Sequence, residues 1–373
     1  MTSTEEAPAP ADVEHRAPAG PARSAGAGAL GAVASLAVLE VVALADPRGS
    51  SVLEAIGNRV IDSFAASLKD LAVALFGTSD KDALQIGTAL IAVAIGAALG
   101  TSLDRRPNVL VAGFAAFGGV GVLAVTVDAQ GSVPVAILAC ALAAAAGIVV
   151  AIGLHGRWAR RGEAAPGVEE ASHAALGPSI GRRKVLLDSA VVAGGAILAT
   201  ALARSVRAGL RDTTEVVRRL RIPRAAKVVA VPEGTLDVGS EAVEGISPFV
   251  TPVDDFYRID TAFRVPSIDV ETWSVKVTGM VDRELSLSFD DLLARDLLEV
   301  PITIQCVSNE VGNHLVGTAR WRGVLLADLL REAGVRDGAE QVIGESVDGF
   351  TAGFPLGAAL DGNDALRRGG DGR

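Results

Sequence analysis

Cysteine, tyrosine and lysine are almost missing from this sequence, and charge of either sign is sparse. The 373 residues include 2 cysteines, 1 tyrosine, 5 lysines and 4 histidines, and only 21% are charged. Two cysteines, Cys140 in an apolar run and Cys306 in a polar setting, exclude a disulfide framework. No CxxC pair, zinc-type Cys/His spacing, haem CxxCH or iron–sulfur cysteine run occurs. A basic surplus is missing as well. The formal net charge is −10, and beyond Val228 the chain carries 25 acidic against 12 basic residues, which excludes a nucleic-acid footprint there. What is abundant is apolar: 50% of the residues, with a mean hydropathy of +0.40. That excludes a disordered chain and sets the sequence apart from ordinary soluble enzymes.

The apolar residues are concentrated before residue 205, so the chain divides into two parts suited to different solvents. Residues 1–24, rich in Pro, Ala and Glu, lack the large side chains needed to bury surface and read as a disordered tail. Five apolar stretches follow within a membrane region of 25–203: 25–45, 83–103, 109–127, 133–154 and 185–203. Each is close to the roughly 20 residues that cross a hydrocarbon core as a helix. Buried helices of a soluble domain are the alternative. The middle three stretches contain no charge and are joined by very short loops, which favours spanning, with membrane lipid as a partner. Between the first two, apolar residues at 52, 53, 56, 60, 64, 68, 71 and 75 give a helical period over 52–76, with charges on the other faces. That pattern suits a helix lying in the membrane interface.

Two acids lie inside the stretches. Glu40 is the deeper, and a helix-packing role and a proton relay both fit it. Asp188 stands one turn from the start of its stretch and is expected to reach the interface. Arg105 and Arg106, and then Arg157, Arg160, Arg161, Arg182, Arg183 and Lys184, fall in two loops, whereas 128–132 has no basic residue. The charge rule places those two loops and the N-terminus in the cytoplasm and the C-terminal domain outside. Seven arginines from Arg204 to Arg224 run against that rule. Gly181-Arg-Arg-Lys-Val-Leu-Leu187, ahead of a small-residue apolar stretch, is similar to a twin-arginine export signal, and a generic basic flank gives the same letters.

Residues 204–245 read as a linker, 246–365 as a second domain and 366–373 as an unstructured tail. Trp273, Val275 and Val277 alternate with polar residues before Gly279, a half-buried strand and a turn. Ser288 before Asp290 and Asp291 predicts a capped helix over 292–298. Residues 301–305 and 340–343 read as strands, and 325–333 as a helix stopped by Gly334. The class is an α-helical membrane bundle followed by a mixed α+β domain. Ile302-Thr-Ile-Gln-Cys-Val-Ser-Asn309 leads from a strand into a polar turn. A cysteine there can present a thiolate to a cleft, and it can equally be a buried, inert thiol.

Five pieces of the second domain, in one order and with sensible gaps, carry a resemblance. They are Thr251-Pro-Val-Asp-Asp-Phe-Tyr-Arg-Ile-Asp260, Trp273-Ser-Val-Lys-Val-Thr-Gly279, Leu287-Ser-Phe-Asp-Asp-Leu-Leu293, Gln305-Cys-Val-Ser-Asn309 and Gly317-Thr-Ala-Arg-Trp-Arg-Gly-Val324. Over about 249–364 the sequence resembles the N-terminal part of the molybdopterin-binding domain of the sulfite oxidase family, including its bacterial periplasmic methionine sulfoxide reductase branch. The five stretches ahead of it resemble the anchor of a membrane-bound actinobacterial subgroup. The resemblance implies a molybdenum-molybdopterin cofactor, with Cys306 as the thiolate ligand of the metal beside the pterin dithiolene. A soft thiolate suits a thiophilic metal. It implies that Asp255, Phe256, Tyr257 and Arg258 line the metal and pterin pocket, with Cys306, Tyr257 and Arg258 as the catalytic group. Gln305, Ser308 and Asn309 belong to the cofactor loop. The Asp255–Arg258 segment can also be a turn with a packed aromatic pair, and Asn309 can serve only to fix its loop. His314 reads as a surface or loop histidine.

Two departures matter. The arginine pair that sulfite oxidases carry after the loop asparagine is Glu310 and Val311 here, and the reductase branch's glutamate two places past the cysteine is Ser308. Neither substrate carries over. The family domain continues past Ala365, where the resemblance fades. The ending Leu366-Arg-Arg-Gly-Gly-Asp-Gly-Arg373, in a chain of 29 arginines against 5 lysines, looks like GC-rich coding read out of frame. The expectation is a shortened or frame-shifted version of a longer enzyme. The reading is a multi-pass, membrane-anchored molybdopterin-dependent oxidoreductase facing away from the cytoplasm. It performs two-electron redox or oxygen-atom transfer on a small-molecule substrate and exchanges electrons with a separate partner or a quinone. A catalytically inactive membrane-anchored fragment is the alternative. A five-helix transporter or channel is disfavoured by the scarcity of polar residues in the stretches, and no histidine falls within them to hold haem.

Overall fold

A computed structural model describes residues 20–63, 80–159, 179–212, 214–229, 248–259 and 266–361. The chain divides into two compact units, Met1–Arg211 and Asp212–Arg373. The first contains α1 (Pro21–Val42), α2 (Val52–Ser63), α3 (Asp80–Gly100), α4 (Pro107–Thr126), α5 (Val133–Ala159) and α6 (Ser179–Arg211). Among the described residues, five helices are long and apolar enough to cross a membrane: those at 21–45, 83–100, 107–126 and 133–159, and the one running on from Arg182.

Glycine sets how these helices approach. α1 packs against α3, α5 and α6. A Cβ on Gly28 would strike the backbone of Gly96 and Gly100, and one on Gly31 would meet the carbonyl of Gly147. Backbones therefore cross in near contact, as small residues allow where no hydrophobic drive separates helix from solvent. Ala27, Leu110, Phe114, Ala151, Leu154 and Trp158 form the core. The outward residues Ile86, Leu90, Val149, Val191 and Leu198 are at least 61% exposed. A helix satisfies its own backbone, so such a surface is compatible with a membrane.

Polar groups inside this unit are paired near its ends. Ser24, fully buried, donates to Asp104 Oδ2 at 2.9 Å, and the other Asp104 oxygen lies 3.3 Å from His155 Nε2. Trp158 Nε1 donates to Asp188 Oδ2 at 3.2 Å. At the opposite end, Arg204, Arg207 and Arg211 are spaced to share one face of α6. Arg204 meets Glu40 at 3.4 Å and Arg207 meets Glu54 at 3.1 Å, while Arg207 and Arg211 both donate to the carbonyls of Pro47 and Gly49. Arg207 is 2% exposed and Glu54 is 4% exposed.

These pairings explain where the helices depart from expectation. α1 begins at Pro21, because Ser24 belongs to the buried polar group and not to a tail. α5 continues to Ala159 and so takes in His155, which an end at 154 leaves outside. α3 ends at Gly100, with turns over 101–105. α6 runs to Arg211 through residues expected to be linker, held by its arginines. Asp188 is engaged by Trp158, and Glu40 is ion-paired, the packing alternative. The helix expected over 52–76 is described as far as Ser63; its remainder, residues 1–19 and the ending 366–373 lie outside the described residues.

In the second unit α7 (Thr214–Arg219) precedes β1 (Lys227–Val228), which pairs in parallel with β4 (Leu298–Gln305). Arg322 donates to Pro223 O at 2.9 Å, so residues 223–229, expected to be linker, belong to this sheet. β4 runs antiparallel to β5 (Val316–Gly323) over eight residue pairs. Alternation gives the hairpin two faces. Val300, Ile302 and Ile304 share one with Ala319 and Trp321; Glu299 shares the other with Arg320 and Arg322, the latter at 2.6 Å. β2 (Ser274–Val277) and β3 (Leu285–Ser288) form a second hairpin, adjoining α9 (Leu326–Ala333) through a core of Val281, Leu285 and Ala333. Gly334, at φ 71°, ends α9 as its sequence predicts. β6 (Gln341–Glu345) and β7 (Thr351–Pro355) form a third hairpin before α10 (Leu356–Asp361). Ser288 and Asp291 cap α8 (Phe289–Leu293) reciprocally. The helix expected over 292–298 is therefore earlier and shorter: Leu297 and Leu298 are buried, and Leu298 opens β4.

Candidate functional site

β4 delivers Cys306. Its N–H donates to Leu315 O at 2.9 Å, extending the β4–β5 ladder by one step. Continued alternation places Cys306 with Ile302 and Ile304. The chain then turns, with Asn309 N–H donating to Cys306 O at 3.0 Å and Asn309 Oδ1 accepting the N–H of Leu315 at 2.8 Å. Asn309 thus ties both ends of the loop, the local side-chain to backbone role its residue type favours. Cys306 is a free thiol of intermediate exposure. Val307 and Val311, in the same loop, are fully exposed.

A second segment meets the same face. The turn at Val253–Asp255 presents Phe256 and Tyr257, whose rings stack at 5.4 Å and 16°. Phe256 meets Trp321 edge-on at 6.3 Å and lies over Gly317, where a Cβ would come within 2.8 Å of its ring. Gly317 pairs with Ile304, two residues before Cys306. Thr251 N–H donates to Thr318 O at 2.9 Å, and Thr318 N–H donates to Thr251 Oγ1 at 3.1 Å, which pins the segment to β5.

The structure therefore brings Phe256, Tyr257 and the cysteine strand to one apolar, aromatic hairpin face. The packed aromatic pair is present, as the plainer reading of that turn had it. Asp255 closes the turn through its N–H to Pro252 O, and the side chains of Asp255, Arg258, Gln305 and Ser308 are exposed. His314 N–H donates to Asn313 Oδ1. Asp260 lies outside the described residues. Sequence reasoning assigned no role to Gly317 or Trp321; the signal was a glycine four residues before a tryptophan in one strand, which leaves room for a ring beside it.

The donor chemistry limits what metal this site can hold. Among the described residues, no group of three or more His, Cys, Asp or Glu side chains could bind an ion. Cys306 supplies a single soft donor, so a metal held here must bring most of its ligands with it. A dithiolene cofactor does that, and a thiolate suits its metal.

Comparison with known proteins agrees. The family model described as the oxidoreductase molybdopterin binding domain matches residues 262–367. An NADH nitrate reductase of Brassica napus is 33% identical over 123 residues, 28% of this chain and 13% of that protein. Mitochondrial sulfite oxidase of Rattus norvegicus is 31% identical over 129 residues, 30% of this chain and 23% of that protein. The uncharacterized oxidoreductase YuiH of Bacillus subtilis is 34% identical over 88 residues, 24% of this chain and 42% of that protein. The solved sulfane dehydrogenase SoxCD of Paracoccus pantotrophus overlaps at 21% identity and a TM-score of 0.26, covering 31% of this chain and 34% of that one, too little to carry an argument. The matched segment is similar to a molybdopterin-binding oxidoreductase domain. More particularly, the relatives it resembles include sulfite oxidases and nitrate reductases, and the matching family model is that of a molybdopterin-binding domain. The chain spans between 13% and 42% of the length of these three relatives.

Proposed function

We propose that this chain is a membrane-anchored, molybdopterin-dependent oxidoreductase of the membrane-bound actinobacterial type, with its second unit on the extracytoplasmic side. The observation that carries the reading is a free, half-exposed cysteine at the end of β4, on the aromatic side of its hairpin and inside the matched segment. Cys306 would hold the molybdenum, with Asp255, Phe256, Tyr257, Arg258, Ser308 and Asn309 in the surrounding cofactor site; strand alternation turns Gln305 to the opposite, Glu299 face of the hairpin. When bound, the cofactor supplies two-electron redox or oxygen-atom transfer. The residues present the thiol on a loop fixed by Asn309, exclude water with the Phe256–Tyr257–Trp321 wall, and place Tyr257 and Arg258 toward a small-molecule substrate. Glu310 and Val311 offer no anion fork, so sulfite is not the substrate this loop favours. Electrons pass to a separate protein or a quinone.

The topology is read from loop charge, and three of the seven arginines that run against it, those of α6, no longer oppose it, whereas Arg218, Arg219, Arg221 and Arg224 still do. Arg204, Arg207 and Arg211 are engaged by carboxylates and carbonyls within the first unit and do not act as free loop charges. Export of the second unit through the Gly181–Leu187 signal completes the reading. A reporter fused after Arg373 is expected to be active only outside the cytoplasm; a cytoplasmic signal would overturn the orientation.

A second reading has its own support: Ile302, Ile304 and Trp321 are 39–44% exposed on the cysteine face, so the described residues alone do not cover it. On that reading the chain is an inactive fragment that retains no cofactor. Elemental analysis of the detergent-purified chain decides between them. Near-stoichiometric molybdenum that disappears in Cys306→Ala supports the oxidoreductase, and no metal in either protein supports the fragment.

A further inference from the structure

The first unit encloses a cavity of about 270 Å³ among α1, α2, α3, α4 and α5. Small residues make the room: Ala32, Ala92, Gly96, Gly118 and Ala143 all line it. Two hydroxyls also line it, and both are spent. Ser35 Oγ donates to Ala143 O at 2.7 Å, and Thr88 Oγ1 donates to Leu84 O at 2.9 Å. As donors both are used up, so apart from the weakly polar thiol of Cys140 the lining offers an occupant only the acceptor lone pairs of these two hydroxyl oxygens. A lining of this kind excludes water: an apolar cavity of about 150 Å³ already stays dry and takes up an apolar guest. Leaving so large a space empty is costly, because its walls forfeit contacts in proportion to the gap.

The cavity has a side opening. Ile91 of α3 and Phe117 and Val120 of α4 line it and are 62%, 40% and 56% exposed. These residues lie at and beyond the midpoints of helices running 80–100 and 107–126, well away from any loop. In a bilayer that height is hydrocarbon, where lipid tails are present and headgroups are not.

The geometry points to a bound lipid acyl chain: the cavity of the first unit is a lateral pocket that takes one hydrocarbon tail from the surrounding bilayer through the Ile91–Phe117–Val120 opening. The inference rests on the membrane reading above. A quinone ring finds no free hydroxyl donor inside and a charged headgroup no counter-charge, so the recognised chemistry is the chain alone.

The test uses the full chain reconstituted in phosphatidylethanolamine and phosphatidylglycerol vesicles containing a phosphatidylethanolamine with a diazirine midway along one acyl chain. After photolysis, label is expected on the interior residues Ser35, Cys140 and Ala143 as well as on outward Leu138 and Val149. Thr88→Phe and Ala92→Phe each fill the cavity from α3, and each is expected to lose the interior label while keeping the outward one. Retained outward label and an unchanged elution profile show that a variant has folded. Outward label without interior label in the wild-type chain overturns the pocket but leaves the membrane reading standing; absence of both overturns the membrane reading. Interior label that survives both fillings also overturns the pocket. Displacement by excess menaquinone, but not by excess unlabelled lipid, would assign the cavity to an isoprenoid chain and overturn the acyl assignment.

Discussion

Both units expose large apolar side chains, and the same observation means different things in each. In the first, Leu90, Val149, Val191 and Leu198 line the outsides of helices whose backbones are satisfied internally and whose few ionic groups are paired near the ends. Such a surface is compatible with a hydrocarbon solvent. In the second, Ile302, Ile304 and Trp321 are exposed on one face of a hairpin whose other face carries the Glu299–Arg322 pair. One face of that hairpin is polar, and the other is left partly uncovered by the described residues. Exposure by itself does not separate these cases; the backbone and the opposite face do.

Substitutions should break this contrast unit by unit. The largest effect is expected for Gly28→Leu, whose side chain must occupy the backbone of Gly96 and Gly100. No relief through rotamers exists, and folded protein should be lost from detergent extracts. Glu54→Ala comes next, because it removes the carboxylate that balances the buried Arg207 charge and leaves that guanidinium its carbonyl bonds without a counter-ion, a change that costs about 3–5 kcal/mol. Cys140 is buried in the first unit, so a larger acceleration of thiol labelling at Cys140 than at the more exposed Cys306 on warming should report that loss where it occurs. Glu54→Leu combined with Arg207→Met should recover much of it; failure to recover would mean the pair organises the loop at 46–50 and not merely its own charge.

Smaller effects are expected at the cysteine face. Gly317→Val pushes Phe256 off β5 and should cost about 1–3 kcal/mol as overpacking. The emission of Trp321 should shift, and bound molybdenum should fall with Cys140 labelling unchanged. Asn309→Ala removes the acceptor for Leu315 N–H and should cost about 1 kcal/mol. If either change slows or speeds Cys140 labelling, the two units are energetically coupled and the contrast must be redrawn.

The sequence is legible where one residue type settles a local question. Five helices follow from hydropathy, Gly334 from its place after an apolar helix, and the capping pair Ser288–Asp291 from their spacing. Boundaries are not legible where a distant partner decides them. Nothing local to Arg204, Arg207 and Arg211 distinguishes a soluble linker from a helix gripping Glu40, Glu54 and the carbonyls near Pro47, over 150 residues away. Ser24 looks like tail until Asp104 and His155 are beside it. The resemblance put the cysteine and the Phe256–Tyr257 turn in one pocket; the contacts through Gly317 and Trp321 that join them were not legible, because they link segments some sixty residues apart.

The smallest effect sharpens the comparison through pH. The hydroxyl of Ser288, and then its backbone N–H, hold the Asp291 carboxyl below its ordinary range. The hydrogen bond from Arg295 does the same for Glu332 and raises Arg295 further, so that the arginine stays charged throughout. Both carboxyls titrate lower folded than unfolded. Their contribution is therefore complete above the unfolded values, near pH 4, and is lost as pH falls through the folded ones. Thermal unfolding of the second unit, followed by Trp273 emission, should be flat from neutral pH to about 5 and decline below about 4. Ser288→Ala should lower the plateau slightly, by loss of the cap, and Ser288→Ala with Glu332→Gln should make the acid limb shallower. Both groups are solvent-exposed, so 1 M salt should erase most of the Glu332–Arg295 part and leave the directly hydrogen-bonded Ser288–Asp291 part. An acid limb that neither variant alters would place the titrating groups elsewhere in the second unit.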